Sequence, residues 1–124
     1  MSAYETEVTE LIGTVEGKNV LLIDDMISTA GSITEAAKAC RKQGAKDVYL
    51  AATHGVLCGA AREKLAGCGA KQVVLTDTIP VDRSNLEHLI TVLSMAPFLA
   101  QAIDRVHHER SVSALFMRRE EGMS

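Results

Sequence analysis

The sequence predicts an α/β fold in three layers, built on a mostly parallel sheet, and three observations carry that expectation. A continuous apolar run from Val20 to Ile23, β-branched at both ends, reads as a strand covered on both faces. Segments of strand and helix character then follow in the order strand, helix, strand, helix, strand, strand, helix, which parallel strands with right-handed crossovers produce. Aromatic residues make up only 3% of the chain and Trp is absent, so the core is aliphatic and alanine-rich, which suits helices packed closely on a parallel sheet.

Val8 to Gly13 alternates and, with Val15 after it, predicts a strand or half a hairpin; Gly17-Lys18-Asn19 is a turn. The first strand is expected over Val20–Ile23, ending in Asp24 and Asp25. The first helix is expected to begin at Ser32, which stands in the S-x-x-E capping-box relation to Glu35. Ile33, Ala36, Ala37 and Cys40 fall on one helical face, Arg41 and Lys42 suit the negative end of the helix, and Gly44 stops it. A second strand is predicted over Asp47–Thr53, a short helix over Ala60–Ala66, a third strand over Gln72–Thr76 and a fourth over His88–Ser94. Pro97 opens a last helix with an apolar stripe of Leu99, Ala102, Ile103 and Val106, read as core or subunit contact. Ser111 to Phe116 is a short apolar tail.

At 124 residues the chain suits a single domain, 1–124, with residues 117–124 a charged, frayed tail. It is 47% hydrophobic and 23% charged, the balance of a soluble globular chain. A formal charge of −3 offers no basic footprint for nucleic acid. No apolar run approaches the roughly 20 residues of a membrane span. Met1 to Glu10 is polar and acidic, unlike a signal peptide. Cys40, Cys58 and Cys68, an odd number without a C-x-x-C spacing, are expected as small buried hydrophobes of a cytoplasmic protein.

The chemistry concentrates after the first strand. A phosphate needs several N–H donors at close range, and a helix amino terminus supplies them with a favourable dipole. Ser28, Thr29, Ala30, Gly31 and Ser32 add three hydroxyls and little bulk. Asp24 and Asp25 repel phosphate, but they accept hydrogen bonds from sugar hydroxyls or hold a divalent cation through water. The combination fits a sugar phosphate. Each half has a bland reading, a solvated turn for the acids and an ordinary loop for the small residues; their proximity ahead of a helix makes them specific. His54 and the pair Asp77-Thr78 end the next two strands, and His54 is read first as a loop cap. A signalling receiver domain also begins with a strand ending in paired acids, but it has no use for the Thr-Ala-Gly-Ser loop. No spacing of His, Cys and carboxylates resembles a zinc site.

Leu22 to Ser32 (LIDDMISTAGS) resembles the phosphoribosyl diphosphate-binding motif of type I phosphoribosyltransferases. Glu7–Gly13 (EVTELIG), Ala51–Val56 (AATHGV), Val74–Pro80 (VLTDTIP), Leu93–Pro97 (LSMAP) and Ser111–Phe116 (SVSALF) extend the likeness to the carboxyl-terminal half of ribose-phosphate pyrophosphokinase. The resemblance implies a phosphoribosyltransferase-like fold and a transferase of nucleotide biosynthesis. In that reaction the anomeric hydroxyl of ribose 5-phosphate attacks the β-phosphorus of ATP, Mg²⁺ assists and AMP leaves. By the family pattern Asp24 and Asp25 hold the ribose hydroxyls of ribose 5-phosphate or PRPP, and Ser28, Thr29, Ala30, Gly31 and Ser32 hold the 5-phosphate. Which residues hold the metal is left open. Ser111, Val112, Ser113 and Phe116 resemble part of a phosphate or ADP regulatory site at subunit contacts.

Two departures qualify the resemblance. Ser28 stands where many members carry Asp. The residues ahead of Glu7 include no Lys or Arg, where the family has a basic catalytic loop. The expectation is therefore a chain that binds ribose 5-phosphate, has no catalytic residues of its own, uses ATP only with the half it lacks, and forms a homo-oligomer or pairs with full-length enzyme. A small phosphoribosyltransferase and a non-catalytic regulatory subunit are the competing readings.

Overall fold

The computed structural model describes residues 13–117. The expected amino-terminal strand therefore lies, Gly13 and Val15 apart, outside the described residues, as does the expected tail apart from Met117. The chain forms two compact units, one ending at Leu93 and the other starting at Ser94.

The first unit holds β1 (Asn19–Ile27), α1 (Gly31–Lys42), β2 (Asp47–Gly55), α2 (Ala61–Gly67), β3 (Gln72–Thr76) and β4 (Ile90–Leu93). The strands form one open sheet in the order β1-β2-β3-β4, every neighbouring pair parallel. This is the α/β class that the sequence predicts. The register aligns Leu22, Leu50, Val73 and Ile90 in one row, and Asp24, Ala52, Leu75 and Val92 in the next. Leu50, Val73, Leu75 and Ile90 are fully buried, under a stripe of Ile33, Ala37 and Cys40 from α1 and Ala61 and Leu65 from α2. Each of the buried Leu, Ile and Val side chains contributes about 1.5–3 kcal/mol through removal from water.

The opposite face explains one correction. Leu21 and Ile23, expected under a second layer, are exposed, Ile23 to 73%. They alternate with Val20 and Leu22, which pack on the core. Among the described residues β1 is an edge strand, and α1 packs on its other face. The expected third layer is thus not seen over these two side chains.

Several element boundaries also move. β1 begins one residue before the apolar run and continues four past it, to Ile27, because its ladder with β2 runs on through Met26–His54 and Ile27–Gly55 whatever the side chains are. Asp24 and Asp25 accordingly lie within the strand. β2 continues to Gly55 for the same reason. α2 covers Ala61–Gly67, one residue later than expected. β4 starts only at Ile90, because Leu86 O accepts the N–H groups of both Leu89 and Ile90 and holds the preceding residues in a turn. β3 has the expected bounds. Gly44 closes α1 at φ 92°, with its N–H on Arg41 O and Ala45 N–H on Cys40 O.

The second unit holds α3 (Ala96–His107), with Pro97 in its first turn, and a 3₁₀ turn (Ser113–Phe116). Phe116 meets Phe98 edge to face at 5.5 Å. None of the residues of α3 is buried. No helix among the described residues is long and apolar enough to cross a membrane.

Candidate functional site

Parallel strands deliver their carboxyl ends to one edge of the sheet, and a turn from such an end into a helix places backbone N–H groups there. Here the turn is Ser28–Ala30, between β1 and α1. Ala30 adopts the left-handed conformation (φ 67°), which a residue with a Cβ holds only when its surroundings enforce it. Thr34 is the enforcing group. Its hydroxyl donates to Ala30 O at 2.6 Å and reaches Gly31 O at 3.2 Å, while its N–H donates to Ala30 O at 3.1 Å. Thr34 is buried, so these bonds are shielded from water.

This geometry overturns the expected capping box. Ser32 is the second residue of α1, and Glu35 turns instead to Lys38 at 3.3 Å. The helix already starts at Gly31, because the left-handed Ala30 reverses the chain one residue earlier. No side chain caps α1, and its first turn carries no acidic residue. The amino-terminal N–H groups and their positive partial charge are left for something else.

A second loop braces the first. Ile27 O accepts the N–H groups of Val56 and Leu57, and Ser28 O accepts that of Cys58. Ser28 Oγ and Cys58 Sγ lie 3.2 Å apart. Cys58 is therefore a correction to the expectation of three buried cysteines: Cys40 and Cys68 are buried, but Cys58 is exposed. It belongs to the loop joining β2 to α2, at the sheet edge, rather than to a helix face over the core.

Asp24 and Asp25 are both exposed. A side-chain hydrogen bond with Asp25, then the Asp25 N–H at 2.8 Å from Asp24 Oδ1, hold the Asp24 carboxyl below the usual carboxylate range. On the next strands, His54 Nδ1 lies 2.7 Å from Thr78 Oγ1, and Thr53 O accepts the hydroxyls of Thr76 and Thr78. His54 thus ties the ends of β2 and β3 together, in keeping with a loop-capping role. No group of three or more His, Cys, Asp and Glu suited to a metal ion occurs among the described residues.

The structure therefore brings Asp24, Asp25, Ser28, Thr29, Ala30, Gly31 and Ser32 to one strand-to-helix junction. Ser111, Val112, Ser113 and Phe116 belong to the second unit, where Ser111 Oγ and Ser113 Oγ are 2.7 Å apart and Arg105 Nη1 donates to Ser111 O at 3.3 Å. Two residues of the junction escape sequence reasoning. Thr34 is hidden because it reads as an ordinary helix residue. Lys64 is hidden by distance along the chain: its Nζ lies 3.8 Å from the point a Cβ on Gly31 would occupy, with Thr29 Oγ1 3.9 Å from that point.

A family model described as the phosphoribosyl synthetase-associated domain matches residues 2–117. Ribose-phosphate pyrophosphokinase of Rhodopirellula baltica is 49% identical over 119 residues, covering 95% of this chain and 38% of that protein. The Oceanobacillus iheyensis protein of the same name is 48% identical, over 89% of this chain and 35% of its own length. Among solved structures, phosphoribosylpyrophosphate synthetase from Mycobacterium smegmatis matches with a TM-score of 0.74 and 47% identity, covering 79% of this chain and 33% of that one. The chain thus spans little more than a third of the relatives it matches. These matches show the family; the expected carboxyl-terminal placement within it does not follow from them.

Proposed function

Since the chain belongs to the phosphoribosyl synthetase-associated domain family and is homologous to ribose-phosphate pyrophosphokinases, we propose that it binds ribose 5-phosphate or PRPP at the β1–α1 junction. In this reading it contributes the sugar-phosphate site of a diphosphoryl transfer from ATP. The observation that carries it is the uncapped amino terminus of α1, entered through a turn of small residues directly after a strand bearing two exposed carboxylates.

Each part has a task. The N–H groups of the turn and first helical residues, with the hydroxyls of Ser28, Thr29 and Ser32, take the 5-phosphate. Asp24, whose carboxyl is held below the usual carboxylate range, and Asp25 accept the ribose hydroxyls. The sugar is thereby held in one orientation, its anomeric hydroxyl free to attack the β-phosphorus of ATP while AMP departs. Positioning and charge neutralisation supply most of the rate in such transfers. Mg²⁺, which the resemblance implies, would find Asp24 and Asp25 as carboxylate ligands and share the remainder of its shell with water and substrate oxygens, the usual habit of this ion. Bound there, it would neutralise charge on the transferring phosphates.

The second unit has a proposed role as well. Ser111, Val112, Ser113 and Phe116 are candidates for a regulatory phosphate or ADP contact, supported by the paired serine hydroxyls beside Arg105.

The test is calorimetric titration of the chain with ribose 5-phosphate. Asp24→Asn and Gly31→Val are each expected to weaken binding by about tenfold or more, which is about 1.4 kcal/mol. A Cβ at Gly31 meets nothing closer than Lys64 Nζ at 3.8 Å and Thr29 Oγ1 at 3.9 Å, both side-chain ends, so the substitution puts apolar bulk into the proposed phosphate space while its Cβ meets no backbone. Unchanged affinity in both variants would falsify the site.

A further inference from the structure

We propose that Lys64, on α2, is a further phosphate-binding residue of this junction; the inference rests on the site proposed above and extends it to a second helix. The geometry comes first. Lys64 Nζ and Thr29 Oγ1 stand 3.8 and 3.9 Å from one point above Gly31, the first residue of α1. An ammonium and a hydroxyl therefore border one small volume at the first residue of α1, a helix whose amino terminus has no side-chain cap, and both can donate to the same anion.

Electrostatics supplies the second argument. The positive end of α1 carries no acidic residue in its first turn. Among the described residues, no carboxylate stands within ion-pair distance of Lys64, whereas Lys38, Arg62 and Lys71 each have one. The contrast within α2 is direct. Arg62 is neutralised by Asp82 at 2.7 Å, whereas Lys64, two residues on, faces another centre of positive charge. Without an anion that juxtaposition is mildly repulsive. With a phosphate between them, both become attractive.

The placement is also built into the backbone. Ala61 and Leu65 are fully buried and seat α2 in the core beside α1. The Cys58 N–H on Ser28 O ties the approach to α2 to the phosphate turn itself. Lys64 thus keeps its station relative to Gly31 through fixed elements, with only its own flexible stem to order on binding. The competing account is a solvated lysine in the last turn of α2, favoured by that helix's own dipole.

Binding of ribose 5-phosphate and of plain ribose to the full chain separates the two accounts. Lys64→Met is expected to weaken ribose 5-phosphate binding by about tenfold, to leave ribose binding unaltered, and to flatten the salt dependence. Lys64→Arg is expected to stay within about threefold of the original. Lys64 is exposed, so both variants should melt with the parent chain. If Lys64→Met binds ribose 5-phosphate normally while Gly31→Val does not, the lysine is merely solvated and this inference fails, although the site stands. If neither substitution matters, or the parent chain shows no saturable binding, site and inference fall together.

Discussion

α1 and α3 are each twelve residues long, each carries an apolar stripe at helical spacing, and each ends in basic side chains. Their fates differ. α1 buries Ile33, Thr34, Ala37 and Cys40 against β1, β2 and α2. α3 buries nothing: Ile103 is 69% exposed and Val106 65%. With Ala102, His107 and Val112 they line an open apolar hollow of the second unit. The lesson is that periodicity records which side of a helix is apolar, while burial depends on what stands opposite it. A stripe such as that of α3, within a chain spanning about a third of its relatives' length, was readable as core or contact but not as one of the two.

Several measurements would break or sharpen this contrast. Ile33→Ala removes a buried side chain from the α1 stripe and should cost about 2–4 kcal/mol in urea unfolding. Gly55→Ala probes the sheet edge beneath the site. A Cβ there would stand 2.7 Å from Leu75 Cδ1, and Leu75 is fully buried, so an expected loss of about 1–3 kcal/mol would appear as a lowered Tm. Thr34→Val keeps shape but deletes the hydroxyl that holds Ala30 O; about 1 kcal/mol of stability should go, with a parallel loss of ribose 5-phosphate affinity in the same titration. Ile103→Ala, the counterpart on α3, should change stability by less than about 0.5 kcal/mol. A cost equal to that of Ile33→Ala would show that α3 is covered and would erase the comparison.

The smallest effect is electrostatic. Ser84, through its hydroxyl and its N–H, and then Arg62, depress the Asp82 carboxyl to about 2. A lowered folded-state value means the contribution is complete above the ordinary carboxylate pKa near 4 and is lost as pH falls toward 2. Since Asp82 is exposed, the loss should be local: the Ser84 amide resonance should shift in that window while the global fold persists. An Asp82 titration midpoint near 4 by NMR would contradict it.

Particular residues show where sequence reasoning succeeds. Gln72–Thr76 has the bounds as a strand that the sequence predicts, and Gly44 stops α1 at positive φ as expected. The small-residue turn beside paired acids was legible because strand, turn and helix start are contiguous. The capping box failed for a local reason of a different kind: Ser32 and Glu35 have the right spacing, but Ala30, an unpromising residue for a left-handed turn, is held there by Thr34. Cys58 departs from the expected burial because its loop hydrogen-bonds to Ser28 at the sheet edge, a contact that nothing near it in sequence reveals.

By itself the sequence determined the element types, the parallel α/β class and the junction where the chemistry gathers, because all of these follow from periods and neighbours within a dozen residues. Only the tertiary structure decided that Asp24 and Asp25 lie inside β1, that Lys64 faces Gly31, and that one of two similar helices is covered. Those outcomes depend on strand register and on contacts between residues some thirty positions apart, which no local period encodes.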